Sequence, residues 1–210
     1  MKENYTWRAT YSAVWESVFR YLRRLCMDKA EIYFAGGCFW GLEKYFQKVH
    51  GVLSTDVGYA NGLTEAPTYK DVCTDTTGFA ETVHVVYDRT LAPLRFLLKL
   101  FFKAIDPTSL NRQGGDTGTQ YRTGVFYVDD GDRPVIVESL NELSHAYENP
   151  IVVECLSLSN YYPAEEYHQK YLDKHPGGYC HLSSSAFAFA KTAAPDSLEA
   201  QDETNRRESQ

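Results

Sequence analysis

Cys38 is the residue around which chemistry can be built. It stands in Gly36-Gly37-Cys38-Phe39-Trp40-Gly41-Leu42-Glu43, straight after a predicted strand and at the start of a predicted helix. Free backbone N–H groups and the positive dipole end at a helix start favour a thiolate, and a thiolate there is a nucleophile. The two glycines let the backbone turn tightly and leave the sulfur partly exposed. The commonest fate of a free cysteine is a small buried hydrophobe, so position alone leaves the two readings even. Phe39 and Trp40 set two large rings beside the thiol. Such rings pack a core or wall a pocket for a small apolar group on a substrate.

The other cysteines, at 26, 73, 155 and 180, make an odd total of five with no Cys-x-x-Cys pair. That argues against a secreted disulfide framework and against structural zinc, and fits a reducing compartment with one or two active thiols.

The elements that must position Cys38 follow from periodicity. EIYFAG (31–36) reads as a buried strand, and residues 38–49 as a helix with Leu42, Tyr45, Phe46 and Val49 on one face. Strands are predicted at 52–60, 82–88, 123–129 and 151–159. Helices are predicted at 93–105, from Asp132 (which can cap it) through Ile136, Leu140, Leu143 and Tyr147, and at 163–175, stopped by Pro176-Gly177-Gly178. Two polar, glycine-marked stretches, 61–80 and 109–122, are too long for plain connectors and are candidate functional loops. Strands interleaved with helices predict a single two-layer α/β domain.

Residues 1–28 form an extension with the i, i+3/i+4 pattern of an amphipathic helix: Tyr11, Val14, Trp15, Val18, Phe19, Leu22, Cys26. Arg8, Arg20, Arg23 and Arg24 suit a mitochondrial presequence, whereas Glu3, Glu16 and Asp28 do not. The polar tail 193–210 carries one large apolar residue, Leu198, and is expected to be disordered. The expected domain is therefore 29–192. Lysine and arginine number 21 against 28 acids, a net charge of -7 over 210 residues, which argues against phosphate-driven nucleic-acid binding and attraction to anionic membranes. No apolar run reaches the roughly eighteen residues of a membrane span.

The motifs together resemble the peptide methionine sulfoxide reductase A family. The Gly36–Glu43 segment resembles its active-site signature. Ala66–Cys73 resembles its tyrosine-bearing loop, and Thr77–Glu81 its glutamate segment. Asp106–Thr108 and Arg112–Arg122 resemble the segments with its aspartate and second tyrosine, and Tyr162–Gln169 also fits. The similarity runs over about residues 30 to 182, in the family's order. Departures are Phe79 and Gly115, where the family often has histidine and asparagine, Asn61 where glycine is common, and Ala104-Ile105 before the aspartate.

The resemblance implies an α+β fold, a two-layer sandwich with a ferredoxin-like mixed sheet flanked by helices. It implies an oxidoreductase that repairs oxidative damage by reducing methionine S-sulfoxide, free or in proteins, to methionine. Cys38 attacks the substrate sulfur. Glu81, just before an apolar strand, protonates the oxygen, since a desolvated carboxyl stays protonated near neutral pH. Tyr69 and Tyr121 donate hydrogen bonds to that oxygen, and Asp116 supports the site. Phe39 and Trp40 hold the S-methyl group. The resulting sulfenic acid condenses with a second thiol. That thiol resembles Cys180, in Pro176-Gly177-Gly178-Tyr179-Cys180-His181, and the disulfide goes to thioredoxin. Cys26, Cys73 and Cys155 are expected to be structural. No cofactor or metal is expected, nor a nucleic-acid or membrane partner. A cytoplasmic monomer is expected, with an organellar location if residues 1–28 form a transit peptide.

Two other readings compete. One is a cysteine hydrolase, although none of the six histidines lies in either polar loop. The other is a zinc or redox-responsive module using His168, His175, Cys180 and His181.

Overall fold

The computed structural model describes residues 27–197. The N-terminal helix expected over 1–28, Cys26 included, and residues 198–210 of the polar tail lie outside them. Eight strands and six helices follow in order: β1 (Lys29–Gly36), α1 (Phe39–Phe46), β2 (Val52–Ala60), α2 (Tyr69–Val72), β3 (Ala80–Asp88), α3 (Leu94–Ala104), β4 (Arg112–Gln113), β5 (Asp116–Thr117), β6 (Thr123–Tyr127), α4 (Asp132–Ser144), β7 (Glu154–Ser157), β8 (Tyr161–Pro163), α5 (Tyr171–Lys174) and α6 (Ser184–Thr192). A 3₁₀ turn covers Thr119–Tyr121.

Six strands form one mixed sheet in the order β7-β6-β1-β3-β2-β8, with only the β6–β7 pair parallel. Alternation along β1 sends Ile32 and Phe34 to one face and Tyr33 and Ala35 to the other. The first face carries the main core, where Phe34 stacks on Phe46 of α1 at 4.7 Å and on Phe101 of α3 at 4.8 Å. Burying each such ring stabilises the fold by about 1.5–3 kcal/mol. α3 carries its charges on one stripe, Arg95, Lys99 and Lys103, and buries the rest of its surface between the sheet and α4, and α4 adds Ile136 to the same core. This is the expected two-layer arrangement of a mixed sheet with helices. Among the described residues no helix is long and apolar enough to cross a membrane.

Several predicted elements change. Residues 163–175 do not form one helix: only Tyr171–Lys174 is helical, and Lys170 before it has φ 51°. The side chains between are committed elsewhere. Gln169 accepts from Val57 N–H at 2.9 Å and donates to Val57 and Ala164 carbonyls, each at 2.8 Å. Glu43 of α1 accepts from the Lys170 N–H at 2.8 Å. The strand predicted at 151–159 shortens to Glu154–Ser157, and Cys155 in it is only partly buried. In α4, Ile136 is buried, Leu140 and Leu143 only partly so, and Tyr147 is exposed beyond the helix. Gly131, not Asp132, occupies its cap position. The run 183–190, unassigned from sequence, forms the first turns of α6, capped by the Ser183 hydroxyl accepting from Ala186 N–H. The two polar loops contain α2, the β4–β5 hairpin and the 3₁₀ turn.

Candidate active site

β1 ends where its antiparallel neighbours β3 and β6 begin, so the Gly36-Gly37 turn, Glu81 and Thr123 meet at one end of the sheet. Gly37 has φ +81°, and a Cβ there would stand 2.5 Å from Gln113 Cβ. Only glycine satisfies both the left-handed backbone and the space. Gln113 is itself locked, accepting from Asp106 N–H and donating to Asp106 carbonyl, both at 2.8 Å. The glycine-rich loop is thereby fixed to the turn that carries Cys38.

Cys38 occupies the N-cap position of α1. It is 6% exposed, not partly open as expected. Burial, then the nearby Glu81 carboxyl, push its thiol well above the ordinary cysteine range, against opposing N–H groups of Trp40 and Gly41. The helix start does favour a thiolate, but desolvation outweighs it, and the resting sulfur holds its proton.

Glu81, the second residue of β3, is 2% exposed and pairs in register with Tyr59 of β2. Its Oε2 accepts from the Phe39 N–H at 3.0 Å, one residue from the nucleophile. Burial raises its carboxyl to about 8; the Phe39 hydrogen bond lowers it and Asp116 adds to the rise. Tyr69 opens α2 and Tyr121 closes the 3₁₀ turn, so the two loops bring both hydroxyls to the site. Burial, followed by the Glu81 carboxyl, keeps both phenols protonated. Asp116 in β5 accepts from the Tyr179 hydroxyl at 3.0 Å, which ties the glycine-rich loop to the segment before Cys180.

The aromatic wall is larger than the sequence indicated. Phe39 is buried against Tyr59, Trp40 and His168. Trp40 is half-buried; its ring stacks on Tyr171 at 3.8 Å and its Nε1–H donates to His168 Nδ1 at 3.0 Å. His168, buried and kept neutral by that burial, also meets the Tyr69 and Tyr167 rings. Glu165 accepts from the Tyr59 hydroxyl at 2.8 Å and the Tyr69 N–H at 2.9 Å. Burial alone would raise its carboxyl, but these hydrogen bonds hold it below the ordinary range. Glu165 and His168 carry no role from spacing alone. They lie within Tyr162–Gln169, and that resemblance was the available signal.

Cys180 reaches the same helix start from the C-terminal segment: a Cβ on Gly41 would stand 2.9 Å from Cys180 Sγ. Cys38, Cys73, Cys155 and Cys180 are all free thiols. Cys73, expected to be structural, is exposed. Two histidines reach the site from outside the polar loops: His168 behind Trp40, and His181 over Gly37 and Gly41. Among the described residues no three His, Cys, Asp or Glu side chains converge as metal ligands, and the His168, His175, Cys180 and His181 set of the competing zinc reading is not brought together.

Residues 30–197 match the family model described as peptide methionine sulfoxide reductase. The peptide methionine sulfoxide reductase MsrA of Lachnoclostridium phytofermentans is 58% identical over 162 residues, covering 77% of this chain and 98% of that protein. The MsrA of Clostridium acetobutylicum is 59% identical over 152 residues, covering 72% of this chain and 94% of its own length. Among solved structures, reduced Mxr1 of Saccharomyces cerevisiae has a TM-score of 0.70 at 41% identity, covering 72% of this chain and 88% of that one. Methionine sulfoxide reductase A of Corynebacterium diphtheriae has a TM-score of 0.66 at 40% identity, covering 72% and 77%. With a cysteine at a helix start, a buried protonated carboxyl beside it and a second thiol within reach, the chain belongs to the peptide methionine sulfoxide reductase family.

Proposed function

We propose that this enzyme reduces methionine S-sulfoxide, free or in proteins, by the following division of labour. Cys38 attacks the sulfoxide sulfur and forms an S–S bond to it, while Glu81 gives its proton to the oxygen and takes up the proton that the Cys38 thiol loses. The Tyr69 and Tyr121 hydroxyls stabilise negative charge on that oxygen as it develops. The oxygen then passes to Cys38: the substrate S–O bond and the transient S–S bond break, an S–O bond to the Cys38 sulfur forms, the substrate leaves as methionine, and Cys38 is left as a sulfenic acid. Phe39 and Trp40 receive the S-methyl group, and Asp116, held by Tyr179, steadies the rim. Cys180 then displaces the sulfenic hydroxyl as water, and thioredoxin reduces the disulfide by thiol exchange.

The observation that carries this reading is Glu81: a fully enclosed carboxyl, raised to about 8, hydrogen-bonded at 3.0 Å to the amide following the nucleophile. A sulfoxide oxygen leaves only when protonated, and this acid keeps its proton at neutral pH. The same reading takes the chain as a cytoplasmic monomer that needs no bound cofactor. The test is turnover of the separated epimers of N-blocked methionine sulfoxide, with dithiothreitol and then with thioredoxin. Only the S epimer is expected to react. Cys38→Ser should abolish the reaction with either reductant, and Cys180→Ser only with thioredoxin. A wild-type protein with a titratable Cys38 that reduces neither epimer would sink the proposal.

A further inference from the structure

His181 has no part in the chemistry above, yet it is placed inside it. Both ring nitrogens are buried without a hydrogen-bond partner. Natural structures seldom leave such atoms unpaired, and exceptions call for an explanation. The ring lies over the start of α1. Its Cε1 is 3.8 Å from where a Cβ on Gly37 would stand. Its Cε1 and Nδ1 are 3.6 and 3.7 Å from where a Cβ on Gly41 would stand. Cys180 Sγ lies 2.9 Å from that same Gly41 point. The imidazole and the Cys180 sulfur therefore share one patch of backbone, and that patch flanks Cys38 on both sides.

We infer that His181 is the proton carrier of the resolving step. Its neutral imidazole takes the proton from the Cys180 thiol as that sulfur attacks the sulfenic acid of Cys38, and gives it to the hydroxyl that leaves. The Sγ–Sγ bond forms and the sulfenic S–O bond breaks. The Cys180 sulfur is oxidised, the Cys38 sulfur is reduced, and the departing hydroxide with the carried proton is water. No outside oxidant or reductant enters. The unpaired nitrogens then have a reason: their partners exist only while the disulfide forms.

Two further observations fit. Burial pushes the Cys180 thiol up, opposed by the Leu182 N–H, so the attacking sulfur starts protonated and needs a base. Burial also holds His181 below the ordinary histidine range, against Asp116, so the ring is neutral at pH 7. The titratable groups around this corner are Asp116 from β5, Cys38 at the α1 start, and Tyr179 and Cys180 on the same segment.

The inference rests on Cys38 forming a sulfenic acid, and its test separates the two. Reduced protein is mixed with one equivalent of N-blocked methionine S-sulfoxide without reductant. Methionine formed and free thiols lost are followed in the same quenched samples. Wild type is expected to give one methionine per chain with rapid loss of two thiols. His181→Gln is expected to give the same methionine burst, with disulfide formation slowed at least tenfold at pH 7. A dimedone-reactive sulfenic acid should accumulate, and added imidazole should partly restore the rate. Disulfide formation in His181→Gln at the wild-type rate overturns the inference. Absence of the burst in wild type overturns the underlying reaction instead. Should His181→Gln fail to fold by its melting transition, the wild-type pH dependence decides. A disulfide-formation rate that is level through neutral pH and falls only below about pH 6.5 supports the imidazole. A rate that climbs tenfold per pH unit from pH 6 to 9 overturns it.

Discussion

Replacing Glu81 with glutamine should cost activity and raise stability, with opposite signs from the same proton. The carboxyl is 2% exposed, and burial raises it from 4.5 to about 8. Between those values the folded chain keeps a proton that the unfolded chain releases. Stability is therefore fully present below pH 4.5 and falls as pH rises, by about 1.4 kcal/mol per pH unit, levelling off above about pH 8. The loss reaches roughly 3 kcal/mol at pH 7 and about 5 kcal/mol above pH 8, as an order of magnitude. Glutamine has the shape of the protonated acid, and its carbonyl can accept the Phe39 N–H in place of Oε2. Glu81→Gln should therefore match wild type near pH 5 and melt about 6–12 °C higher at pH 7. It should lose about 10²–10⁴ in the rate of the methionine burst, because an amide cannot release the proton. The assays are melting of both reduced proteins at pH 5, 6, 7 and 8, and quenched single turnovers. A stability difference that does not grow with pH would refute a buried, neutral Glu81, whatever the activity.

Gly41→Ala puts a Cβ 2.9 Å from Cys180 Sγ, so the resolving thiol must retreat. Thiol counting after one turnover should show disulfide formation slowed about tenfold, a loss of about 1.4 kcal/mol of positioning, with an intact methionine burst. Tyr69→Phe and Tyr121→Phe should each lower the burst rate roughly 10²-fold. Because both hydroxyls serve the same oxygen, removing one already spends part of the other's contribution, and the double variant should lose less than the product of the singles; a strictly multiplicative loss would argue against a shared task. On the opposite face of the sheet, His84 lies between Asp56 and Glu31, each at 2.8 Å, and stacks on Tyr33. Burial alone would lower its pKa, but the two carboxylates outweigh it and raise it. That stabilisation is present below the ordinary histidine value and fades as pH rises through the folded one. His84→Gln should thus cost about 1 kcal/mol in urea melts at pH 5.5 and markedly less at pH 9.

Much of the site could be read before folding because it is local. A thiol at the start of a helix is a matter of adjacent residues: Gly36-Gly37 break the strand and Phe39 begins the helix. Its aromatic neighbours, the glycine-marked loops and the alternation of Ala80–Asp88 are local as well. What failed at this level were elements whose conformation answers to distant partners. Residues 163–175 have helical periodicity, yet Gln169 is taken by the Val57 backbone and Lys170 N–H by Glu43, so the helix breaks. The 183–190 run has little periodicity to read, and its helix is set by packing of Phe187 and Phe189 on the core.

Protonation states belong wholly to the tertiary level, because a pKa depends on burial and charge, and neither is a property of spacing. The sequence places Cys38 at a helix start and so favours a thiolate. Only the fold shows that enclosure and the Glu81 carboxyl outweigh those N–H groups. Glu81 lies 43 positions along the chain from Cys38, and β3 pairing with β1 makes it their shared acid. His181 stands next to Cys180 in any reading, but its unpaired nitrogens exist only because the segment folds back over Gly37 and Gly41. The sequence by itself determined which groups this protein has for the reaction. The tertiary structure decided which of them hold protons, since that depends on the water each has lost on folding.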